Sequence, residues 1–194
     1  MESSDARILE AAVRVFAEHG FRGSTTRRIA KAARVNEVTL FRRFPSKDVL
    51  IRTALEAQAQ HTIAMLRDHA PPQRPADMRA ELAAYLAIIF PAMLATSDAH
   101  RTAIGEWGRS PELDASLMTA TEFVHDEMRA YLERAQAAGL LRPDVNPLVA
   151  TQALLGGLLA DVLMRDRLPE RFPLEPAAAI DAYLDLFLSG AIHR

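Results

Sequence analysis

From Ile8 to Leu188 the apolar residues of this chain recur every three or four positions, the period of an α-helix. No stretch of useful length alternates with the period of two that a half-buried strand needs, which restricts the chain to an all-α fold. Proline and glycine then divide the helices. Gly20 stands where a first helix, carrying Ile8, Leu9, Ala12, Val13, Val15 and Phe16, would stop in a left-handed cap. Pro45 separates a third helix from a fourth that runs from Ser46 to about His69. Pro71, Pro72 and Pro75 make a loop, and Ser110-Pro111 opens a long helix that Gly139 closes. Pro169, Pro173 and Pro176 precede a last helix from Ala177 to about Ile192, and Pro91 inside the run Asp77 to Thr96 predicts a kink. The count is about nine helices.

Within this series the stretch Ser24 to Lys47, S-T-T-R-R-I-A-K-A-A-R-V-N-E-V-T-L-F-R-R-F-P-S-K, reads as two short helices around a turn at Arg34-Val35. Thr25 or Ser24 caps the first by accepting backbone N–H bonds, and Asn36 caps the second. Ile29, Ala30, Ala32 and Ala33 form the inner surface of the first, and the second carries Val38, Leu40, Phe41 and Phe44. With the first helix and Phe21 they make a core of about fifty residues, marginal by itself. The fourth helix supports it through a stripe of Val49, Leu50, Ala54, Ala57 and Ala64. Such a helix-turn-helix lays its second helix in a DNA major groove.

The charge distribution agrees. Residues 1–52 hold eleven Lys/Arg against six Asp/Glu, and residues 53–194 hold twelve against nineteen. A basic head on an acidic body suits a chain that meets a polyanion with one end. No cysteine is present, which excludes disulfides, thiolate metal sites and cysteine nucleophiles. The histidines (His19, His61, His69, His100, His125, His193) are scattered, and neither H-E-x-x-H, G-x-S-x-G nor a phosphate-cradling glycine loop occurs. The residues therefore offer no catalytic or metal site and no cofactor. The N-terminus lacks a basic segment followed by an apolar run, and no apolar stretch approaches the roughly 20 residues that cross a bilayer. A cytoplasmic protein with no membrane partner is the expectation.

The segments I-A-K-A-A, T-L-F-R-R-F and P-S-K-D-V-L stand in an order and spacing that resemble the DNA-binding signature of the tetracycline-repressor (TetR) family of bacterial regulators, over about residues 6–52. The resemblance implies a helix-turn-helix domain at 1–47 and a helical effector-binding and dimerisation domain at 48–194. It implies a sequence-specific regulator, a repressor released from double-stranded operator DNA by a small-molecule effector. An architectural DNA-binding protein without effector and, last, an α-helical enzyme are the alternatives. The acidic body weighs against the first of these, since wrapping DNA needs basic charge over most of a surface.

Base reading falls to the polar positions of the second motif helix, Asn36, Glu37, Thr39 and Arg43. Glu37 either accepts from cytosine N4 or serves as a solvated or cap-supporting carboxylate. Thr25, Thr26, Arg27, Arg28, Arg42 and Lys47 are candidates for phosphate contacts. Two positions depart from the family pattern. Arg34 stands where the family has glycine, so a less sharp turn is expected. Phe41 stands where the family has a tyrosine that bonds a phosphate, a bond Phe41 cannot make.

In the body, Tyr85, Phe90, Met93, Trp107, Met118 and Phe123 are candidates to line a largely apolar effector cavity, with His100 and Glu106 as polar anchors; equally, such a set at helical spacing is solid core, and His100 a surface histidine. The resemblance implies a homodimer in which the last two helices pack with their copies as a four-helix bundle. Independently, the Gly156-Gly157 pair and the stripe Ile180, Leu184, Phe187, Leu188 fit close helix packing, either across a dimer or within one subunit.

Overall fold

A computed structural model describes residues 4–191, so the expected helix end at Ile192 and His193 lie outside the described residues. Among the described residues there are nine α-helices: α1 Ser4–Gly23, α2 Thr26–Ala33, α3 Glu37–Arg43, α4 Lys47–Arg67, α5 Met78–Ala95, α6 Ser97–Glu106, α7 Pro111–Ala137, α8 Pro147–Met164 and α9 Pro176–Ala191. A 3-10 turn, Pro169–Arg171, precedes the last. Short polar side chains satisfy the free N–H groups where these helices start. Asn36 accepts from Val38, Ser46 from Val49, Asp77 from Ala80, Ser110 from Leu113 and Asn146 from Leu148. Gly139, at φ 76, turns the chain out of α7.

Packing groups the chain into two compact units whose boundaries cross the order of the helices. The first contains the chain up to Ala64 together with Asp98–Thr121, and the second contains Met65–Ser97 and the chain from Glu122 onward. Thus α1 to α3 share a unit with most of α4, with α6 and with the start of α7. The core of this unit is Ile8, Ala12, Phe16, Phe21, Ile29, Leu40, Phe44, Leu50, Ile51 and Ala54, joined by Leu113 from α7. The second unit is built on α5, α8, α9 and the rest of α7, around Leu82, Leu86, Phe90, Met128, Tyr131, Leu154, Leu158, Val162 and Leu184.

The first helix breaks at Gly20 as expected, at positive φ (φ 65, ψ −177), and a short helical segment continues beyond the kink to Gly23. Two expectations are corrected. The buried register of α4 uses Ile51, Ala59, Ile63 and Leu66, whereas Ala57 and Ala64 face solvent. Alanine is small enough to serve on either face, so it marks a helical stripe weakly. Pro91 lies inside α5 and is exposed. Finally, α5 and α8 are each 18 residues long with mean hydropathy 1.5 and 1.6, enough by length and composition to cross a membrane. Both contribute their apolar residues to the core of the second unit.

Candidate nucleic-acid interface

The motif is assembled by α2 and α3 against α1. Thr25 caps α2 by accepting from Arg28 N–H at 3.3 Å. At the other end Arg34 adopts the left-handed conformation, φ 56 and ψ 45, and its N–H bonds back to Ala30 and Lys31. The expectation of a slackened turn is therefore corrected: arginine takes the conformation that glycine adopts more cheaply. Arg7 of α1 braces the strained corner by donating to Ala33 O at 2.8 Å and Arg34 O at 3.3 Å. These bonds tie the turn to the first helix and offset part of the roughly 1 kcal/mol that a non-glycine residue loses there.

Leu40 and Phe44 anchor α3 in the core, which turns its other side to solvent. Asn36, Arg42 and Arg43 are exposed and Thr39 is half-buried. Val38 is 74% exposed and Phe41 51%, so two of the three apolar side chains of this helix are outside. Sequence reasoning missed Val38 as a surface residue. The signal was there, because Val38 falls out of register with Leu40 and Phe44.

The charged candidates are not equally free. Glu37 accepts from Thr26 Oγ1 at 2.6 Å, which links the first residues of α2 and α3. Arg43 pairs with Asp5 of α1 at 2.8 Å, and Arg28 donates to Gly23 O. Lys47 Nζ donates to Phe21 O at 2.9 Å and lies 4.2 Å from the centre of the Phe21 ring. Thr25 and Arg27 are exposed beside them.

The other candidates fall in different places. Tyr85 and Phe90 are buried in the second unit, and Met93 and Phe123 pack against that core. Tyr85 lines a cleft of about 370 Å³ with His69, Pro71, Pro72, Glu81 and Ile88. Its hydroxyl is buried without a hydrogen bond among the described residues, and burial pushes its pKa well above the usual phenol range. His100, Trp107 and Met118 belong to the first unit, where Trp107 is 57% exposed. Of the residues expected at a dimer interface, Ile180, Leu184 and Leu188 are buried in their own chain, and Phe187 packs against the same core. Gly157 gives room to Tyr183, since a Cβ there would lie 3.1 Å from its ring, and Gly156 faces open space.

Comparison with known proteins decides what this arrangement is. Residues 8–54 match the family model for bacterial regulatory proteins of the tetR family, and residues 72–180 match that for the tetracyclin repressor-like C-terminal domain. The chain belongs to the TetR family. It is a DNA-binding transcriptional regulator and not an enzyme. Among curated TetR-like relatives, the HTH-type transcriptional regulator UidR of Escherichia coli K12 is 29% identical over 171 residues, 82% of each chain. The fold is shared with Bacillus subtilis FadR, solved in complex with stearoyl-CoA (20% identity, TM-score 0.76, covering 95% of this chain and 97% of that one). It is shared also with SmeT, the repressor of the Stenotrophomonas maltophilia multidrug efflux pump SmeDEF (21% identity, TM-score 0.71, covering 100% and 92%). Of the two positions expected to depart from the TetR pattern, Arg34 takes the left-handed conformation at the end of α2 and Phe41 is half-exposed on α3.

Proposed function

We propose that the chain is a homodimeric repressor that holds double-stranded operator DNA through α2 and α3 and releases it when a small-molecule effector binds the helical body. The observation that carries this reading is the exposed side of α3, which offers Asn36, Val38, Thr39, Phe41 and Arg42 together on a helix anchored from behind by Leu40. Asn36, Glu37, Thr39 and Arg43 read bases, with Val38 placed to meet a thymine methyl, and Thr25, Thr26, Arg27, Arg28, Arg42 and Lys47 hold phosphates. In this reading residues 1–47 bind DNA and residues 48–194 bind effector and dimerise, in the cytoplasm.

Dimerisation is supported by an unpartnered stripe on α8. Val149, Ala153, Gly156, Ala160 and Met164 are all exposed, at spacings of three and four. On α9, Ala178, Ala182, Leu186 and Ser189 repeat the pattern. Small residues on exposed helix faces let a second pair of helices approach closely. A two-fold dimer then sets its recognition helices about one DNA turn apart, roughly 34 to 36 Å. An effector that binds better to a conformer with another spacing lowers operator affinity by its differential affinity for the two. A largely apolar effector suits Tyr85, Phe90, Met93 and Phe123, with the unpaired Tyr85 hydroxyl as its polar contact. The test is a gel shift on DNA from immediately upstream of the chain's own gene, with and without candidate ligands. Specific binding that a ligand relieves is the expected result; binding that no ligand changes leaves a regulator without an effector.

A further inference from the structure

At Gly20 the first helix breaks its own hydrogen-bond ladder. In an unbroken helix the Phe21 N–H would donate to Ala17 O, four residues back. Here both groups are met by side chains of α6. Glu106 Oε1 accepts from Phe21 N–H at 2.9 Å, and Thr102 Oγ1 donates to Ala17 O at 2.8 Å. Thr102 and Glu106 are four residues apart and so lie on one face of α6. They offer a donor to the freed acceptor and an acceptor to the freed donor, the complement of one missing helical bond.

The residues around the bend are fitted to this contact. A Cβ at Gly20 would stand 2.6 Å from Glu106 Oε1, so the approach needs glycine for space as well as for its positive φ. Gly20 O accepts from Ser24 Oγ at 2.6 Å, immediately before the cap of α2. Phe21 O accepts from Lys47 Nζ, at the start of α4. Arg109 lies 4.3 Å from the centre of the Phe21 ring and pairs with Glu106 at 3.2 Å.

We propose that Thr102 and Glu106 are positioning residues for operator binding: together they hold the bend at Gly20 and thereby set the first turn of α2 and the ammonium of Lys47. This rests on the reading of α2 and α3 as the operator-binding elements. The bend is one of two arrangements in which both backbone groups are satisfied. When α6 withdraws, Phe21 N–H and Ala17 O can pair with each other, α1 straightens, and Ser24 and Thr25 move with it. Neither arrangement leaves a polar group unpaired, so displacement of α6 selects between them. The contact is thus a joint through which α6 controls the head.

The test uses the full-length protein and its operator in a fluorescence-anisotropy titration, with amide exchange at Phe21 followed without DNA. Thr102→Val and Glu106→Ala should each weaken operator binding about tenfold, the worth of a hydrogen bond to a buried or charged group. Glu106→Gln, whose amide oxygen still accepts from Phe21 N–H, should restore it. Gly20→Ala should weaken binding by itself and make a further Glu106→Ala change nearly silent, because both act through one bend. Phe21 exchange should change in Glu106→Ala and not in Glu106→Gln, and the fluorescence of Trp107, the only tryptophan, should follow. Wild-type affinity and exchange in Glu106→Ala overturn the proposal, as do equal losses in the alanine and glutamine variants that add to that of Gly20→Ala. A wild-type chain that selects no DNA sequence overturns the operator reading, and the positioning role with it, whatever Phe21 exchange reports.

Discussion

Arg34 shows how one residue can contradict a motif while keeping its geometry. A β-carbon at φ 56 costs roughly 1 kcal/mol that glycine does not incur, and the Arg7 bonds to Ala33 O and Arg34 O go to backbone atoms that a glycine would still present. Arg34→Gly is therefore expected to raise unfolding stability by about 1 kcal/mol in a urea titration, with operator affinity preserved. An unchanged midpoint would mean that the exposed arginine side chain itself contributes to the turn. Phe41, half-exposed on α3, points the other way, toward function. Phe41→Tyr adds a hydroxyl that can donate to a phosphate, and operator binding should tighten by up to about tenfold. Lys47 has already committed one of its three N–H donors to Phe21 O. Its remaining donors suit a phosphate, so Lys47→Ala should weaken binding to all sequences alike and lower the slope of log affinity against log salt by about one.

At the scale of elements, the helix starts were legible because their caps are local: Asn36, Ser46, Asp77, Ser110 and Asn146 bond N–H groups within three residues of themselves. What joins elements was not. The bend at Gly20 depends on Thr102 and Glu106, each 85 residues in sequence from the backbone group it bonds, and no pattern around Gly20 announces them. The start of α5 combines both kinds. Glu81 accepts from the Ala76 and Asp77 N–H groups, and also from Tyr131 Oη at 2.6 Å on α7. Burial works against the Glu81 carboxylate, but these three hydrogen bonds outweigh it and hold its pKa below the ordinary value of 4.5. A carboxyl whose pKa is lowered by folding adds stability above its unfolded value and loses it as pH falls through the folded one. Glu81→Ala is accordingly expected to lower stability by about 1–2 kcal/mol at pH 7, and the gap to wild type should narrow in denaturant titrations below pH 4. A gap of constant size would show that the hydrogen bonds do not depend on the charge.

For the whole molecule, apolar periodicity locates the side of a helix that its own chain buries, and in α9 that side is Ile180, Leu184 and Leu188. A surface meant for a second copy is harder to see, because it has to be tolerable in water before the copy arrives. In the dimer proposed for this chain it would be written in alanine, glycine and serine with an occasional large residue, a pattern that also describes an ordinary exposed face. Leu186 favours the proposed interface: at 75% exposed it is the most exposed large apolar side chain on α8 or α9. Leu186→Glu should leave the fold intact, since no core atom is removed, yet place two like charges in the buried centre of the proposed dimer. Light scattering should then report a monomer with an unchanged thermal midpoint extrapolated to low concentration. Operator affinity should fall by several orders of magnitude, because one head holds half the phosphates and one half-site. Leu184→Ala, two residues away but fully buried, should do the opposite: it should cost about 2–5 kcal/mol of stability and leave whatever protein remains folded dimeric. A dimer that survives Leu186→Glu places the interface elsewhere.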